Sequence, residues 1–418
     1  MDKLIVEGNS DLYGSVNVSG SKNASLPILV SSLLSSENLE LTNIPQLDDI
    51  MNMKKLLISY GVKVKDSSNG IILNANNISN KITDYDVVRK MRASILVLGP
   101  LLSRFNKAII SLPGGCAIGT RPIDIHLQGL AKLGVKFEIE NGLVKARADN
   151  QLIGNYIKLS FPSVGATENI LMASIFAKGK TIIDNAAREP EIVDLVDCLK
   201  KMGANINGEG NSKLEIVGVK NLKQAKHTIL NDRIVAGTYI IAAIMLNKEF
   251  TVNNINHKHI ESLLEILKKM GANLKIYNNS IKIFPTKKLK GIKIATAPYP
   301  GFPTDLQAQI MALMGLASGN SEIKESIFEN RFMHVAELNR LGAKIKIKNE
   351  TAYISGNIKY KGAQVMASDL RASVSLVLAG LCADGNTTIN RVYHLDRGYE
   401  KIEETLLKCG PKINRQKY

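Results

Sequence analysis

Six times along this chain an amphipathic run ends in glycine and passes into a short alternating run. The six are LLISYGVKV (56–64), LAKLGVKFE (130–138), LKKMGANIN (199–207), LKKMGANLK (267–275), LNRLGAKIK (338–346) and LLKCGPKIN (406–414). Helical spacing closed by glycine predicts a helix C-terminus, and the alternation beyond it predicts a strand. The glycines are Gly61, Gly134, Gly203, Gly271, Gly342 and Gly410, at spacings of 73, 69, 68, 71 and 68 residues. Regularity over the full length predicts six copies of one unit. A second kind of helix precedes each: SKNASLPILVSSLL (21–34), RASILVLGPLLS (92–103), GATENILMASIFA (165–177), RIVAGTYIIAAIML (233–246), TDLQAQIMALMGLA (304–317) and DLRASVSLVLAGLC (369–382). These are apolar nearly all round, as buried helices are.

Each unit thus carries one buried helix, one amphipathic outer helix and short strands, among them TIIDNA, FTVNNI and TTINRV. That alternation predicts an α/β fold. A length of 418 residues suits two domains. Counting repeats puts three units in each half, with the boundary near residue 229. The expected domains are 21–229, and 1–20 joined to 230–418. Residues 3–18 read as one strand that completes the C-terminal half.

Composition narrows the function. The apolar fraction is 45%, with no tryptophan and no apolar run of membrane-spanning length. MDKLIVEGNS has no signal-peptide core, so a cytoplasmic location is expected. The net charge of +16 permits nucleic-acid binding, but the lysines are scattered and form no basic block. Several arginines instead stand at helix starts: Arg92, Arg121, Arg233 and Arg371. None of the four cysteines lies in a Cys-x-x-Cys pair. Cys198 and Cys382 fall in apolar helical patterns, and Cys409 ends a helix. The HKH stretch at 257–259 reads as solvated rather than as a metal site.

LPGGCAIGTRPIDIH (112–126) carries the most chemistry. Cys116 lies among Gly114, Gly115 and Gly119, followed by Arg121 and a helix start at Pro122 with Asp124 and His126 in the first turns. An arginine there opposes the helix dipole, which points to a docked anion. The pattern alone fits either a reactive thiol or a packed one. Other helix starts repeat the theme. GSKNAS presents Lys22 and Asn23. PSVGAT presents a Ser/Gly turn suited to phosphate. GFPTDLQ gives Thr304 as N-cap and Asp305 beside it. SDLRAS gives Ser368 as N-cap, with Asp369 and Arg371. Asp305 fits a catalytic carboxylate or one that merely suits the dipole. Lys22, Arg92, Arg331 and the Asp396-Arg397-Gly398-Tyr399 stretch each also fit surface positions.

Together, GSKNAS, LPGGCAIGTRPIDIHL, FPSVGATE, GFPTDLQAQ and SDLRAS resemble the UDP-N-acetylglucosamine 1-carboxyvinyltransferase family of enolpyruvyl transferases, over the whole chain. The resemblance implies two three-repeat domains forming an inside-out α/β barrel of βαβαββ-type units, with the active site in the cleft between the domains. It implies transfer of the enolpyruvyl group of phosphoenolpyruvate to the 3′-hydroxyl of UDP-N-acetylglucosamine, at the entry to peptidoglycan synthesis. The implied partners are those two small molecules, with no nucleic acid, membrane, metal or other cofactor. By position, Cys116 matches the loop cysteine that acts as general acid, forms an adduct with phosphoenolpyruvate and is alkylated by fosfomycin. Asp305 matches the base. Lys22, Arg121 and Arg397 match the phosphate clamp, and Arg371 a carboxylate contact. Asn23 and Arg92 match sugar-nucleotide contacts, Arg121, Pro122, Ile123, Asp124 and Ile125 the uridine stretch, and Ser163, Val164 and Gly165 the diphosphate turn. Ile327 matches a nucleotide-sugar contact, and Arg331 and Asp369 match cleft residues. One departure stands. Some relatives have lysine two residues before Ser163, where this chain has Phe161. The rival readings are 5-enolpyruvylshikimate-3-phosphate synthase, a basic RNA-binding protein on related repeats, and a catalytically silent paralogue.

Overall fold

All six repeat glycines take left-handed backbone angles, with φ between 94° and 112°. A Cβ is strained in this region, so glycine at each helix end frees the chain to turn into the next strand. The computed structural model describes residues 2–79, 88, 91–112 and 123–417.

The strands form six small sheets among the described residues. One shows the plan. Tyr156–Lys158 lies parallel to Lys180–Asp184. Lys180–Asp184 is antiparallel to Lys213–Val217, which is antiparallel to Asn205–Asn207. A parallel pair needs a crossover, and the helix Val164–Ala173 supplies it. The helix Pro190–Lys201 then leads into the antiparallel hairpin. Four other sheets share this order and these senses. The sheet of Lys107–Ser111, Leu143–Arg147 and Lys136–Glu140 shows the three antiparallel members. The class is mixed α/β, as expected. No described sheet closes into a barrel.

The N-terminal segment differs from expectation. It forms two strands, Lys3–Val6 and Ser15–Asn17, in different sheets. Lys3–Val6 sits between Thr387–Asn390 and Ile413–Gln416, and Ser15–Asn17 pairs with Phe250–Asn253. Ala225–Thr228 correspondingly pairs with Asn38–Thr42. The fold therefore has two compact units. One holds the described residues of Met1–Ser19 and Asn231–Tyr418, the other those of Gly20–Cys116 and Thr120–Leu230.

Each unit has its own apolar core. In one, the inner helices Arg233–Leu246, Gln307–Leu316 and Leu370–Leu381 pack on one another. In the other, Val164–Ala173 packs on Leu98–Phe105 and on Asp124–Lys132. Inner helices rich in Ser and Thr can be buried because their hydroxyls bond back to helix carbonyls. Ser31 donates to the Ile28 carbonyl and Ser375 to that of Ala372, each at 2.7 Å. Two inner segments begin as 3-10 turns, Arg92–Val97 and Thr304–Leu306.

Candidate active site

Asp305 lies in the Thr304–Leu306 turn, ahead of the helix Gln307–Leu316. The cap expected from Thr304 does not form. Pro303 holds the cap position, and Thr304 Oγ1 donates to Glu325 Oε2 at 3.0 Å. Two arginines converge on the Asp305 carboxylate. Arg331 Nη2 reaches Oδ1 at 3.0 Å, and Arg371 Nε reaches Oδ2 at 3.3 Å. Their side chains are only 5% and 3% exposed, against 25% for Asp305. Arg331 is thus part of a buried pair rather than a surface one.

Arg371 stands in the first turn of Leu370–Leu381, where its charge opposes the helix dipole. The expected cap was Ser368, but Asp369 is the cap. Its Oδ1 accepts from the Arg371 and Ala372 amides at 2.9 and 3.0 Å. A carboxylate accepts both amides with one oxygen and adds a compensating negative charge. Burial pulls the Arg371 pKa down, and Asp305, Tyr399 and Asp232 more than reverse this, so the net shift is upward. Among the described residues, its Nη1 and Nη2 are buried without a hydrogen-bond partner. Such donors favour an anion.

Tyr399, in a stretch whose polar residues suit the surface, is buried instead, with its ring 5.7 Å from the Arg371 guanidinium. Its hydroxyl meets Thr238 Oγ1 at 2.9 Å and Gln309 Nε2 at 3.3 Å. Gln309 Nε2 also donates to the Asp305 carbonyl at 3.0 Å. This network ties the inner helices beneath Asp305. Arg397 is half-buried at the end of the turn Tyr393–Asp396. Asp396 is held by both Nη atoms of Arg415, at 3.1 and 2.5 Å. A Cβ on Gly398 would stand 2.1 Å from Leu370 Cδ1, so this turn packs directly on the start of the Arg371 helix. Ile327 lies in the loop after the strand Asn320–Lys324, its amide donating to Glu325 Oε1 at 2.9 Å. His334 is buried, and burial with nearby Arg331 outweighs the pull of Asp369 to lower its pKa to about 4.

The other unit places a second group. Lys22 opens the helix Lys22–Ser31 and pairs with buried Asp49 at 3.4 Å. Ser21 caps that helix at the Ala24 amide. Lys22 is therefore buried, and Asn23 beside it is half-buried. Ser163 caps Val164–Ala173 by accepting from the Ala166 amide at 3.3 Å, with Val164 and Gly165 partly exposed in the turn. Phe161, at the departure from the family pattern, is exposed.

Ile123 is the cap residue of Asp124–Lys132, without a side-chain bond. Asp124 is exposed and Ile125 half-buried. His126 Nδ1 meets Asn169 Nδ2 at 3.1 Å, and its Cε1 would lie 3.2 Å from a Cβ on Gly165. Asn169 also accepts from the Gly99 amide and donates to the Ile95 carbonyl. One buried amide on the helix Val164–Ala173 thus joins the Arg92–Val97 turn, the helix Leu98–Phe105 and the His126 helix. Burial and the Arg92 charge lower the His126 pKa to about 4, so the ring is neutral at pH 7.

Cys116, Arg121 and Pro122 lie outside the described residues. Burial pushes the thiols of Cys198 and Cys382 up to about 12, and raises that of Cys409. Asp49, Glu325, Asn169, Gln309 and Thr238 join these clusters without a motif that announces them. Only the polar positions in otherwise apolar helices hinted at the last three.

Residues 6–406 match the family described as EPSP synthase (3-phosphoshikimate 1-carboxyvinyltransferase). A UDP-N-acetylglucosamine 1-carboxyvinyltransferase of Pelagibacter ubique is 53% identical over 415 residues, covering 99% of this chain and 100% of that protein. One of Gluconacetobacter diazotrophicus is 50% identical, covering 99% of each. Among solved structures, the enolpyruvyl transferase NikO from Streptomyces tendae superposes with a TM-score of 0.90 at 23% identity, covering 99% of each chain. EPSP synthase from Acinetobacter baumannii superposes at 0.78 with 19% identity over both full chains. These two likenesses show the fold.

Proposed function

Because the chain belongs to the carboxyvinyl transferase family, we propose that it moves the enolpyruvyl group of phosphoenolpyruvate to the 3′-hydroxyl of UDP-N-acetylglucosamine and releases phosphate. The observation that carries this reading is identity of about half the positions with UDP-N-acetylglucosamine 1-carboxyvinyltransferases, along the whole chain. The Asp305 cluster supports it chemically. Five four-stranded sheets of like order and a sixth with the three antiparallel members, three sheets in each unit, support six repeats of one βαβαββ plan.

The reaction adds the sugar hydroxyl oxygen to C2 of phosphoenolpyruvate while C3 takes a proton. The intermediate then loses a C3 proton and inorganic phosphate, restoring the double bond on the sugar ether. It balances without a metal, redox partner or other cofactor. Asp305 takes the hydroxyl proton as general base, its oxygens oriented by Arg331 and Arg371. The spare donors of Arg371 hold the phosphoenolpyruvate carboxylate. Lys22, Arg121 and Arg397 take its phosphate. Cys116 delivers the proton to C3. Asn23, Arg92, residues 121–125, the Ser163–Gly165 turn and Ile327 hold the nucleotide sugar, and Arg331 and Asp369 shape the site around Asp305. The reading places the protein in peptidoglycan synthesis, and with it in cell-wall growth, in the cytoplasm. No helix among the described residues is long and apolar enough to cross a membrane.

The test is phosphate release from phosphoenolpyruvate with either acceptor. UDP-N-acetylglucosamine should support it and shikimate-3-phosphate should not. Equal or greater release with shikimate-3-phosphate overturns the assignment.

A further inference from the structure

Glu325 is 3% exposed at the end of the strand Asn320–Lys324. Its carboxyl group takes four donors from three segments. Oε1 accepts from Thr296 Oγ1 at 2.9 Å, from the Ile327 amide at 2.9 Å and from the Phe328 amide at 3.3 Å. Oε2 accepts from Thr304 Oγ1 at 3.0 Å. All four donors are neutral. A carboxylate is costly to bury unless it is hydrogen-bonded, and these four bonds meet that need while tying three segments to one group. Three of its four partners bear on the site. Thr304 immediately precedes Asp305. Ile327 and Phe328 begin the loop that ends at Arg331, whose guanidinium lies 5.6 Å from the Phe328 ring and bonds Asp305.

We propose that Glu325 is a positioning residue that sets the distance between Asp305 and the Ile327 loop, and so between the base and the acceptor sugar. The inference rests on the proposed roles of Asp305 and Ile327. Its two oxygens divide the work. The Oε2–Thr304 bond orients Asp305 and therefore acts on turnover. The Oε1–amide bonds shape the Ile327 loop and therefore act on nucleotide-sugar binding.

The experiment uses the full chain, with steady-state phosphate release and thermal midpoints for four variants. Thr304→Val keeps the shape and removes the donor. It should lower kcat about tenfold or more while the KM for UDP-N-acetylglucosamine stays within about twofold. Thr304→Ser restores the hydroxyl and should recover most of kcat. Glu325→Gln keeps one carbonyl oxygen for the amides and turns the Thr304 contact round, its nitrogen donating to Thr304 Oγ1, so it should lower kcat less than Thr304→Val does, with little change in KM. It stands in if Thr304→Val does not fold. Asp305→Ala separates the two levels of argument. If it keeps turnover, the reading of the site fails. If it loses turnover while Thr304→Val and Glu325→Gln match the parent, the positioning role alone is overturned. A loss of kcat that Ser does not restore, and that follows only a fallen thermal midpoint, also overturns it.

Discussion

Replacing Asp305 with alanine should destabilise the fold, whatever it does to turnover. Asp305 is the common partner of two arginines that are 5% and 3% exposed. At separations of 3.0 and 3.3 Å, each pair has a gross attraction of about 5 kcal/mol at an effective dielectric of ~20. Desolvating the ions offsets most of that. Removing the shared partner leaves the desolvation and takes away the attraction, a change of about 3–5 kcal/mol for a buried pair. Asp305 is itself a quarter exposed, so water can enter the gap, and the lower end, about 3 kcal/mol, applies. For a unit of this size each kcal/mol moves the thermal midpoint by about 2–4 °C, so the fall should be roughly 6–12 °C. Calorimetry in a buffer of weakly binding anions measures it. Inorganic phosphate should recover more of the midpoint in Asp305→Ala than in the parent, because it supplies the missing negative charge. A midpoint that is unchanged or raised in the variant refutes the reasoning.

Gly61→Ala and Gly203→Ala share a positive φ, but a Cβ on Gly61 would stand 2.2 Å from the Asn77 carbonyl oxygen, whereas Gly203 has only the Lys223 side chain at 3.9 Å. Denaturant titration should show about 1–2 kcal/mol lost at Gly203 and clearly more at Gly61; equal losses refute the close approach. His126 and His334 each have a pKa of about 4 in the fold, against 6.5 unperturbed, so between these values the unfolded chain binds the extra protons. The stability they contribute is complete above pH 6.5 and is lost as pH falls toward 4, at about 1.4 kcal/mol per pH unit each. His334→Gln should flatten the fall in midpoint between pH 7 and 5, and an unchanged slope rejects the assignment. Iodoacetamide at pH 7.5 should label Cys116 before the other three thiols, whose pKa values are raised; mass spectrometry showing Cys198, Cys382 or Cys409 labelled first would reverse this.

The chain's local patterns carried a great deal. The repeat glycines mark helix ends because the left-handed angle they adopt is a property of one residue and its neighbours. The inner helices are apolar all round because burial on every side demands it, and they lie where the pattern put them to within a turn. Helix starts were legible as places. Their details were not. Ser and Asp are adjacent at 368–369, and both types cap helices, so only the backbone path decides that Asp369 faces the amides. Thr304 has a capping side chain, but Glu325 draws it away.

What only the tertiary structure decided is which charges meet. Arg331 and Arg371 stand 26 and 66 residues from the carboxylate they share, and Lys22 stands 27 from Asp49. Residue 3–18 patterning showed strand but not that the segment splits between two sheets with partners hundreds of residues away. Periodicity and capping act within a turn or a hairpin, where the next few residues settle the free energy. An ion pair or a sheet edge is settled by whichever distant group the packed core brings within about 3 Å, and that depends on the whole chain at once.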